Sequence, residues 1–207
     1  MSIINDDHLN IYKSKISGFF PSIYSNDVNI VLKIIPMNSN DIYTNDGLTI
    51  KMNNLISDDY QCFNINSEIL KIYSRIYFNE PNIEYELELN ELQKSILNCI
   101  YLKHCDGYIR HRRLTQLANT NNYFQIPFIF QLLGEYVIEL LEEVDKHIIE
   151  KNKNEYCHFI LENKKYWEKT KSRVISYWNA YYRNNQLKEY IGMQIVKRLE
   201  TYMREKI

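Results

Sequence analysis

The first ninety residues contain short stretches in which apolar and polar side chains alternate. From Val28 to Ile35 every second residue is apolar, and Pro36 ends the stretch. Successive side chains of a β-strand point to opposite faces, so this pattern predicts a strand over 28–35. The sequence Asn45-Asp46-Gly47 is a turn signal, and the short strand predicted after it, over 48–52, is expected to pair with the first.

The clearest alternation runs from Leu70 to Phe78 and ends at Asn79-Glu80-Pro81. It predicts a longer strand. Apolar residues from Ile83 to Leu89 alternate with glutamates, which predicts a last strand or an extended sheet edge with a carboxylate face. We therefore expect residues 1–89 to form a small, strand-rich and acidic region.

The hydrophobic period changes at Asn90. Asn90 and Gln93 have the spacing of a capping box, and the apolar residues that follow recur at helical intervals. Asp106-Gly107 ends this helix, and Asp106 is placed to cap a second one. The polar stretch from Asn119 to Asn122 predicts the next break.

Three further helices are predicted after this break. The longest apolar stripe runs from Ile126 to Ile148, with Pro127 in its first turn and Gly134 permitting a close neighbour, which predicts a central core helix. From Tyr156 to Tyr181 large side chains recur every seven residues. Half of that seam is polar, so an antiparallel hairpin with a last helix over 187–202 is favoured over a dimeric coiled coil.

The succession of elements over residues 92–150 resembles a single HEAT-type helical repeat. The resemblance depends on Asp106-Gly107-Tyr108-Ile109-Arg110, in which an Asp and then an aliphatic-Arg pair open a helix between two others. It implies a helical surface that binds proteins or nucleic acid. The expected fold class is α+β, with an all-helical bundle or short HEAT-like helical array of about five helices over 90–207.

Composition and termini indicate a folded protein that does not enter a membrane. Of the 207 residues, 45% are hydrophobic and 25% are charged, which is ordinary for a globular domain. No apolar run approaches the roughly 20 residues that span a bilayer. Asp6 and Asp7 stand where a secretory signal carries positive charge, so a cytoplasmic protein is expected. Four irregularly spaced cysteines favour reduced thiols over a disulfide framework.

Charge is distributed unevenly along the chain. Residues 1–90 contain 6 Lys+Arg and 12 Asp+Glu, whereas residues 151–207 contain 13 and 6. The acidic first part and the basic end pair either within one chain or head-to-tail between copies. Both arrangements are compatible with the sequence, which leaves the oligomeric state open.

Arginine is scarce, yet three of the eight arginines fall within four positions, at Arg110, Arg112 and Arg113. Guanidinium groups bind carboxylate or phosphate through paired hydrogen bonds, so the cluster is a candidate site for a partner or a phosphate. On a helix, residues 110 and 113 share a side while 112 points elsewhere. Structural pairing with Glu135, Glu139 or other acidic residues of the predicted core helix is therefore favoured.

A second candidate binding surface lies near the C-terminal end, at Lys164, Lys165, Lys169 and Arg173. Aromatic residues are interleaved with these basic residues, as in surfaces that follow a nucleic-acid backbone and stack its bases. The same aromatic residues lie on the predicted helical seam, where they are expected to form core.

No catalytic motif is present. Five glycines do not supply a phosphate-binding loop, the Glu143 to His147 spacing differs from that of di-metal bundles, and the adjacent His104-Cys105 and Cys157-His158 pairs diverge on a helix. No cofactor and no metal are expected. A non-catalytic protein-interaction or adaptor module is favoured, a nucleic-acid-binding accessory protein that uses the basic C-terminal helices is the alternative, and an enzyme is less favoured.

Overall fold

The structure is a computed structural model that describes residues 6–44, 46–117, 122–148 and 152–205. The chain divides into two compact units, Met1–Arg113 and Leu114–Ile207. In the described part of the chain all strands lie in the first unit, and the second unit is helical. The expected α+β class is thus confirmed.

In the described part of the first unit, two α-helices separated by a 3-10 turn (Ser22–Tyr24) are followed by two antiparallel hairpins and then three α-helices. In chain order they are α1 (Asp6–Ser17), α2 (Ser25–Ile34), β1 (Asp41–Tyr43), β2 (Thr49–Lys51), β3 (Tyr60–Ile65), β4 (Glu68–Tyr73), α3 (Ile83–Leu87), α4 (Glu91–Tyr101) and α5 (Gly107–Gln116), the last of which continues into the second unit.

The predicted strand over 28–35 is wrong, because these residues form most of α2. Val28, Val31 and Leu32 are buried at helical spacing, whereas Ile30 is 41% exposed. The segment is rich enough in apolar residues to satisfy both periods, so the pattern alone did not discriminate between them. Packing decides for the helix: α2 lies against α4, where the Gln93 amide donates to Asp27 Oδ1 at 2.8 Å.

The turn predicted around Gly47 is confirmed, but the predicted strand pairing is wrong. Gly47 has φ +81°, which favours glycine, and Asn45 lies outside the described residues. The strand after the turn is β2, and it pairs with β1 rather than with residues 28–35, placing Ile50 opposite Ile42. The true partner is only three residues long, which is too short to show an alternating pattern.

The strand predicted from Leu70 to Phe78 is confirmed at its start and is too long at its end. Strand β4 pairs with β3, with Leu70 opposite Phe63, and stops at Tyr73. Ile76 then makes single bridges to Ile56 and His104. The strand predicted over 83–89 is wrong, since Asn82 Oδ1 accepts the Glu84 N–H at 3.0 Å and caps the one-turn helix α3.

The helix starts predicted at Asn90 and Asp106 are both confirmed. The Gln93 N–H donates to Asn90 Oδ1 at 2.9 Å and the Asn90 N–H donates to Gln93 Oε1 at 3.2 Å, which completes the capping box of α4. Asp106 Oδ1 accepts the Tyr108 N–H at 2.8 Å at the start of α5. Most of the break predicted from Asn119 to Asn122 lies outside the described residues.

The second unit is built from five longer helices and three short helical turns, among the residues described. They are α6 (Ile126–Leu132), α7 (Ile138–His147), α8 (Lys153–Glu162), α9 (Lys164–Tyr177) with a π-helical turn over Trp178–Tyr182, a 3-10 turn over Leu187–Glu189, and α10 (Ile191–Glu205). A further 3-10 turn over Tyr123–Gln125 precedes α6. Helix α10 packs against α7, α8 and α9.

The single core helix predicted over 126–148 is wrong, because it is divided into α6 and α7. Pro127 does lie in the first turn of α6. The N–H groups of Gly134 and Glu135 each donate to the carbonyl three residues earlier, and these hydrogen bonds end α6. Val137 has an extended backbone before α7 begins. Both halves are buried, so the apolar stripe continues across a break that it does not reveal.

The helix predicted over 156–181 is also divided, at Asn163, which separates α8 from α9 and has φ −126°. The backbone N–H and the side-chain amide of Asn163 both donate to the Phe159 carbonyl, each at 3.0 Å, where α8 ends. The predicted seam is buried at Trp167 and Val174, whereas Tyr181 is 59% exposed. The turn predicted at 184–185 does lie between α9 and α10.

Candidate functional site

The arginines of α5 are bound to neighbouring segments of the first unit. Arg113 is only 3% exposed. Its guanidinium donates two hydrogen bonds to Glu86, at 2.8 and 2.7 Å, one to Glu80 at 2.8 Å and one to Asn98 at 3.2 Å, and it lies 5.1 Å from the Tyr101 ring. This is a fully partnered, charge-assisted network.

The other two arginines of the cluster also bind within the first unit. Arg110 Nη1 donates to the carbonyl oxygens of His104 and Cys105, at 2.8 and 2.9 Å. Arg112, whose side chain is 47% exposed, pairs with Glu80. Residues 112 and 113 thus meet at one carboxylate although they leave the helix in different directions. The sequence analysis had not paired either arginine with Glu80, since the two lie more than thirty positions apart.

Burial and charge shift the pKa values in this network. Burial lowers the pKa of the Arg113 guanidinium, but hydrogen bonds to Glu86 and the charge of Glu80 more than offset it, so the pKa is raised. Burial also lowers the pKa of His104, which donates through Nε2 to the Phe78 carbonyl and accepts the Asp106 N–H at Nδ1. This neutral imidazole binds backbone groups at both ring nitrogens, whereas the charged Arg113 binds side chains.

The basic candidates of the second unit lie on α9, and all four of them are exposed: Lys164, Lys165, Lys169 and Arg173. Lys165, Lys169 and Arg173 follow one another at intervals of four and form one line along the helix. Lys164 is turned away from that line. The interleaved Tyr166 and Trp167 are 8% and 5% exposed, so these two rings belong to the core and do not stack bases.

A group of five tyrosines, which we call the tyrosine cluster, lies at the end of α9. Its members are Tyr136, Tyr177, Tyr181, Tyr182 and Tyr190. Tyr136 stacks on Tyr181 at 4.8 Å, and Tyr182 stacks on Tyr190 at 5.2 Å. The Tyr182 hydroxyl donates to the Tyr136 carbonyl at 2.7 Å. Two structural irregularities assemble the cluster: the break between α6 and α7 carries Tyr136, and the π-helical turn carries Tyr181 and Tyr182.

Beside the cluster lies a cleft of about 310 Å³, which we call the tyrosine cleft. Its volume is near the lower end of the range for small-ligand pockets. The rings of Tyr182 and Tyr190 and the side chains of Ile138 and Ile191 line it. Helix α7, the turn after α9 and the start of α10 therefore each contribute to one concave surface.

The polar part of the cleft is acidic. Glu142 and Glu189 line it, are exposed, and form no ion pair within the part of the chain that is described. The Gln194 amide, also in the lining, donates to the Glu189 carbonyl at 3.3 Å and holds the turn that carries this carboxylate. Burial and then the charge of Glu139 raise the pKa of Tyr182, which indicates a negative potential around this ring.

Tyr190 carries a hydroxyl with no hydrogen-bond partner among the described residues. The residue is 4% exposed, and burial, followed by the neighbouring Tyr182 and Tyr177, raises its pKa to about 12. A Cβ atom at Gly192 would lie 2.8 Å from Tyr190 Cε1, so only glycine allows the ring this position. An unsatisfied buried hydroxyl costs about 1–3 kcal/mol, and native proteins retain such groups most readily at functional positions.

A second polar group lies on α8. The Tyr123 hydroxyl donates to Glu162 at 2.6 Å, and His158 lies 3.7 Å from the other oxygen of the same carboxylate. Burial and the hydrogen bond to Glu162 raise the pKa of Tyr123. The neighbouring cavity, beside His147, holds only about 20 Å³, which is space for one water molecule. This group therefore stabilises the fold and offers no room for a substrate.

Within the described ranges, no group of three or more His, Cys, Asp and Glu residues is arranged to hold a metal ion. None of the helices there is both long and apolar enough to cross a membrane. The four cysteines are free thiols.

The sequence analysis missed the residues of the tyrosine cleft. Their only signal is the Tyr181-Tyr182 pair at the end of a helix, and in a chain with 18 tyrosines that signal is weak. Glu142, Glu189 and Tyr190 come from two segments nearly fifty residues apart, which no local pattern connects.

The sequence matches no protein-family model, no curated protein and no solved structure. The resemblance of residues 92–150 to a HEAT-type repeat stays a prediction. Function is therefore inferred from the geometry of the chain itself.

Proposed function

We propose that this protein is a non-catalytic protein-interaction module that binds its partner through the tyrosine cluster and the tyrosine cleft. One observation carries the proposal: stacked tyrosines stand partly exposed beside a cleft that contains two carboxylates and a buried hydroxyl. Among the described residues, the carboxylates form no ion pair and the hydroxyl has no hydrogen-bond partner. Tyrosine is enriched in protein interfaces, because its ring buries a large apolar area at a small entropic cost and its hydroxyl forms hydrogen bonds.

The exposed rings provide anchors for such an interface. Tyr181 is 59% exposed and Tyr136 is 44% exposed, yet they stack on each other and are held by neighbours. Rigid aromatic side chains of this kind lose little entropy on binding and are frequent among binding hot spots. The HEAT resemblance, which implies a helical binding surface, supports the same proposal.

Photo-crosslinking tests the proposal in cells. A photoreactive phenylalanine analogue at position 181 is expected to capture a protein partner, and Tyr182→Ala is expected to abolish the capture. The same analogue at Tyr108, which is 69% exposed in the first unit, is the matched control. Equal capture from both positions, or capture that Tyr182→Ala leaves unchanged, would contradict the proposal.

The second candidate function is nucleic-acid binding by α9. The exposed line of Lys165, Lys169 and Arg173 favours it, because positive side chains at regular spacing neutralise successive phosphates. The nucleic-acid surface predicted from the sequence also includes Lys164, which is turned away from this line. Glu168, exposed on the same helix and paired with Lys171, reduces the positive potential.

A salt series with single- and double-stranded oligonucleotides decides this alternative. If the line binds phosphates, affinity falls steeply with salt, and each Ala substitution at these three positions lowers the log-log slope by about one unit. Absence of binding near about 50 mM salt would end the nucleic-acid alternative. The protein-interaction proposal predicts that result.

A further inference from the structure

The tyrosine cleft combines two kinds of group that bind cations. Glu142 from α7 and Glu189 from the turn before α10 bring two negative charges to one small cleft, and neither is neutralised by an ion pair in the described part of the chain. Lys146, one turn after Glu142, is already paired with Glu143 at 2.5 Å. A cation that enters the cleft is attracted by both carboxylates.

Aromatic rings form another part of the cleft lining. Tyr182 and Tyr190 line the cleft as a stacked pair, with an interplanar angle of 22°. A guanidinium or ammonium group within about 6 Å of a tyrosine ring is attracted by the electron-rich face of that ring. Guanidinium also stacks on such rings and donates several hydrogen bonds, for which the carboxylates are acceptors.

The volume of the cleft and the sign of its charge together restrict the chemical class of the ligand. About 310 Å³ admits one long side chain, whereas a folded element needs more room. Phosphate groups are disfavoured, because they would approach Glu142 and Glu189 with the same sign of charge. The apolar side chains of Ile138 and Ile191 suit the methylene stem that arginine and lysine share.

Resting on the proposed function, we propose that the tyrosine cleft takes a cationic side chain, arginine or lysine, presented by the partner protein. The side chain places its charged end against Glu142 and Glu189 and its stem along the apolar wall. The partner is thus a protein with an exposed basic residue at the centre of its contact surface.

The chain contains a convenient reporter for this site. Trp178 Nε1 donates at 3.1 Å to the carbonyl oxygen of Asn185, a residue that lines the cleft. Only one other tryptophan is present, Trp167, and it is 5% exposed. The indole N–H signals of an NMR spectrum therefore comprise one reporter and one internal control.

The experiment titrates the 207-residue chain with Nα-acetyl-arginine amide, Nα-acetyl-lysine amide, the neutral citrulline analogue and AMP. The arginine or lysine probe is expected to shift the Trp178 signal in the millimolar range and to leave Trp167 unchanged. Glu142→Gln and Glu189→Gln are each expected to weaken this binding about threefold to tenfold. Glu155→Gln, an exposed substitution on α8, is the matched control and leaves it unchanged.

The proposal of a cationic ligand is overturned if citrulline or AMP binds with the same affinity as the arginine probe. It is also overturned if the Glu142→Gln and Glu189→Gln variants bind the arginine probe as well as the Glu155→Gln control does. A random peptide library separates this failure from failure of the proposed function. Selected peptides that shift Trp178 but lack basic residues leave the interaction module in place and remove its cationic ligand. If no library peptide shifts Trp178, the proposed function itself fails.

Discussion

Replacing Arg113 by alanine tests whether the α5 arginines are structural. The substitution leaves Glu86 and Glu80 without their main cation, and the side chains of these glutamates are only 15% and 23% exposed. It also removes the hydrogen bond to Asn98 and the contact with the Tyr101 ring. Each of these groups then remains in a partly buried site where water replaces the guanidinium poorly.

The expected cost follows from burial. Removing one partner of a buried ion pair costs about 3–5 kcal/mol, because the other charge is left uncompensated. Arg112 shares Glu80, but its side chain is 47% exposed. Exposed pairs contribute about 0.2–1 kcal/mol, so Arg112→Ala is the matched control and is expected to cost no more than that. Arg113→Lys, which retains the charge and loses the paired geometry, is expected to lie between them.

Urea unfolding followed by circular dichroism measures the free energy of unfolding of each variant. A double-mutant cycle of Arg113→Ala with Glu86→Gln isolates the pair and is expected to show a coupling of more than about 1 kcal/mol. If Arg113→Ala costs less than about 1 kcal/mol, or no more than Arg112→Ala, the network does not stabilise the fold. The arginine cluster would then again be a candidate site for a partner or a phosphate.

Two further predictions concern packing and pH. Gly192→Ala is expected to lower the free energy of unfolding by about 1–3 kcal/mol, because the added Cβ meets the Tyr190 ring. Gly107→Ala is the control and is expected to be tolerated, since its Cβ meets only the end of a flexible side chain at 3.6 Å. Equal effects of the two substitutions would refute this prediction. Burial lowers the pKa values of His104 and His147, so the unfolded chain binds more protons than the folded protein below about pH 6.5. The melting temperature is therefore expected to fall as the pH is lowered from about 7.5 to about 5.5. The double variant His104→Gln with His147→Gln should show a smaller fall, and an unchanged pH dependence would contradict the prediction.

Features that depend on neighbours in sequence were predictable. The capping box at Asn90 and Gln93, the cap at Asp106 and the turn at Gly47 were predicted correctly. Each of these features depends on hydrogen bonds or dihedral angles within about four residues, so the local sequence is sufficient to predict it. The order of a strand-containing part before a helical part also followed from the period of the apolar residues, although α2 and α3 are helices where strands were predicted.

Tertiary packing decided what these local patterns left open. Residues 28–35 satisfied both periods until contact with α4 selected the helix, and the apolar stripe over 126–148 remained continuous across the break that carries Tyr136. The partners of Arg113 lie 15 to 33 positions earlier in the chain.

The tyrosine cleft joins Glu142 to Tyr190 only because α7 and α10 pack together. The sequence by itself determined where α4 and α5 begin, where the turn at Gly47 lies and which end is basic, since those properties belong to single residues and their near neighbours. The tertiary structure determined which charges are neutralised and which tyrosines face solvent. Those properties depend on burial and on distances between remote segments, which apolar periodicity does not encode.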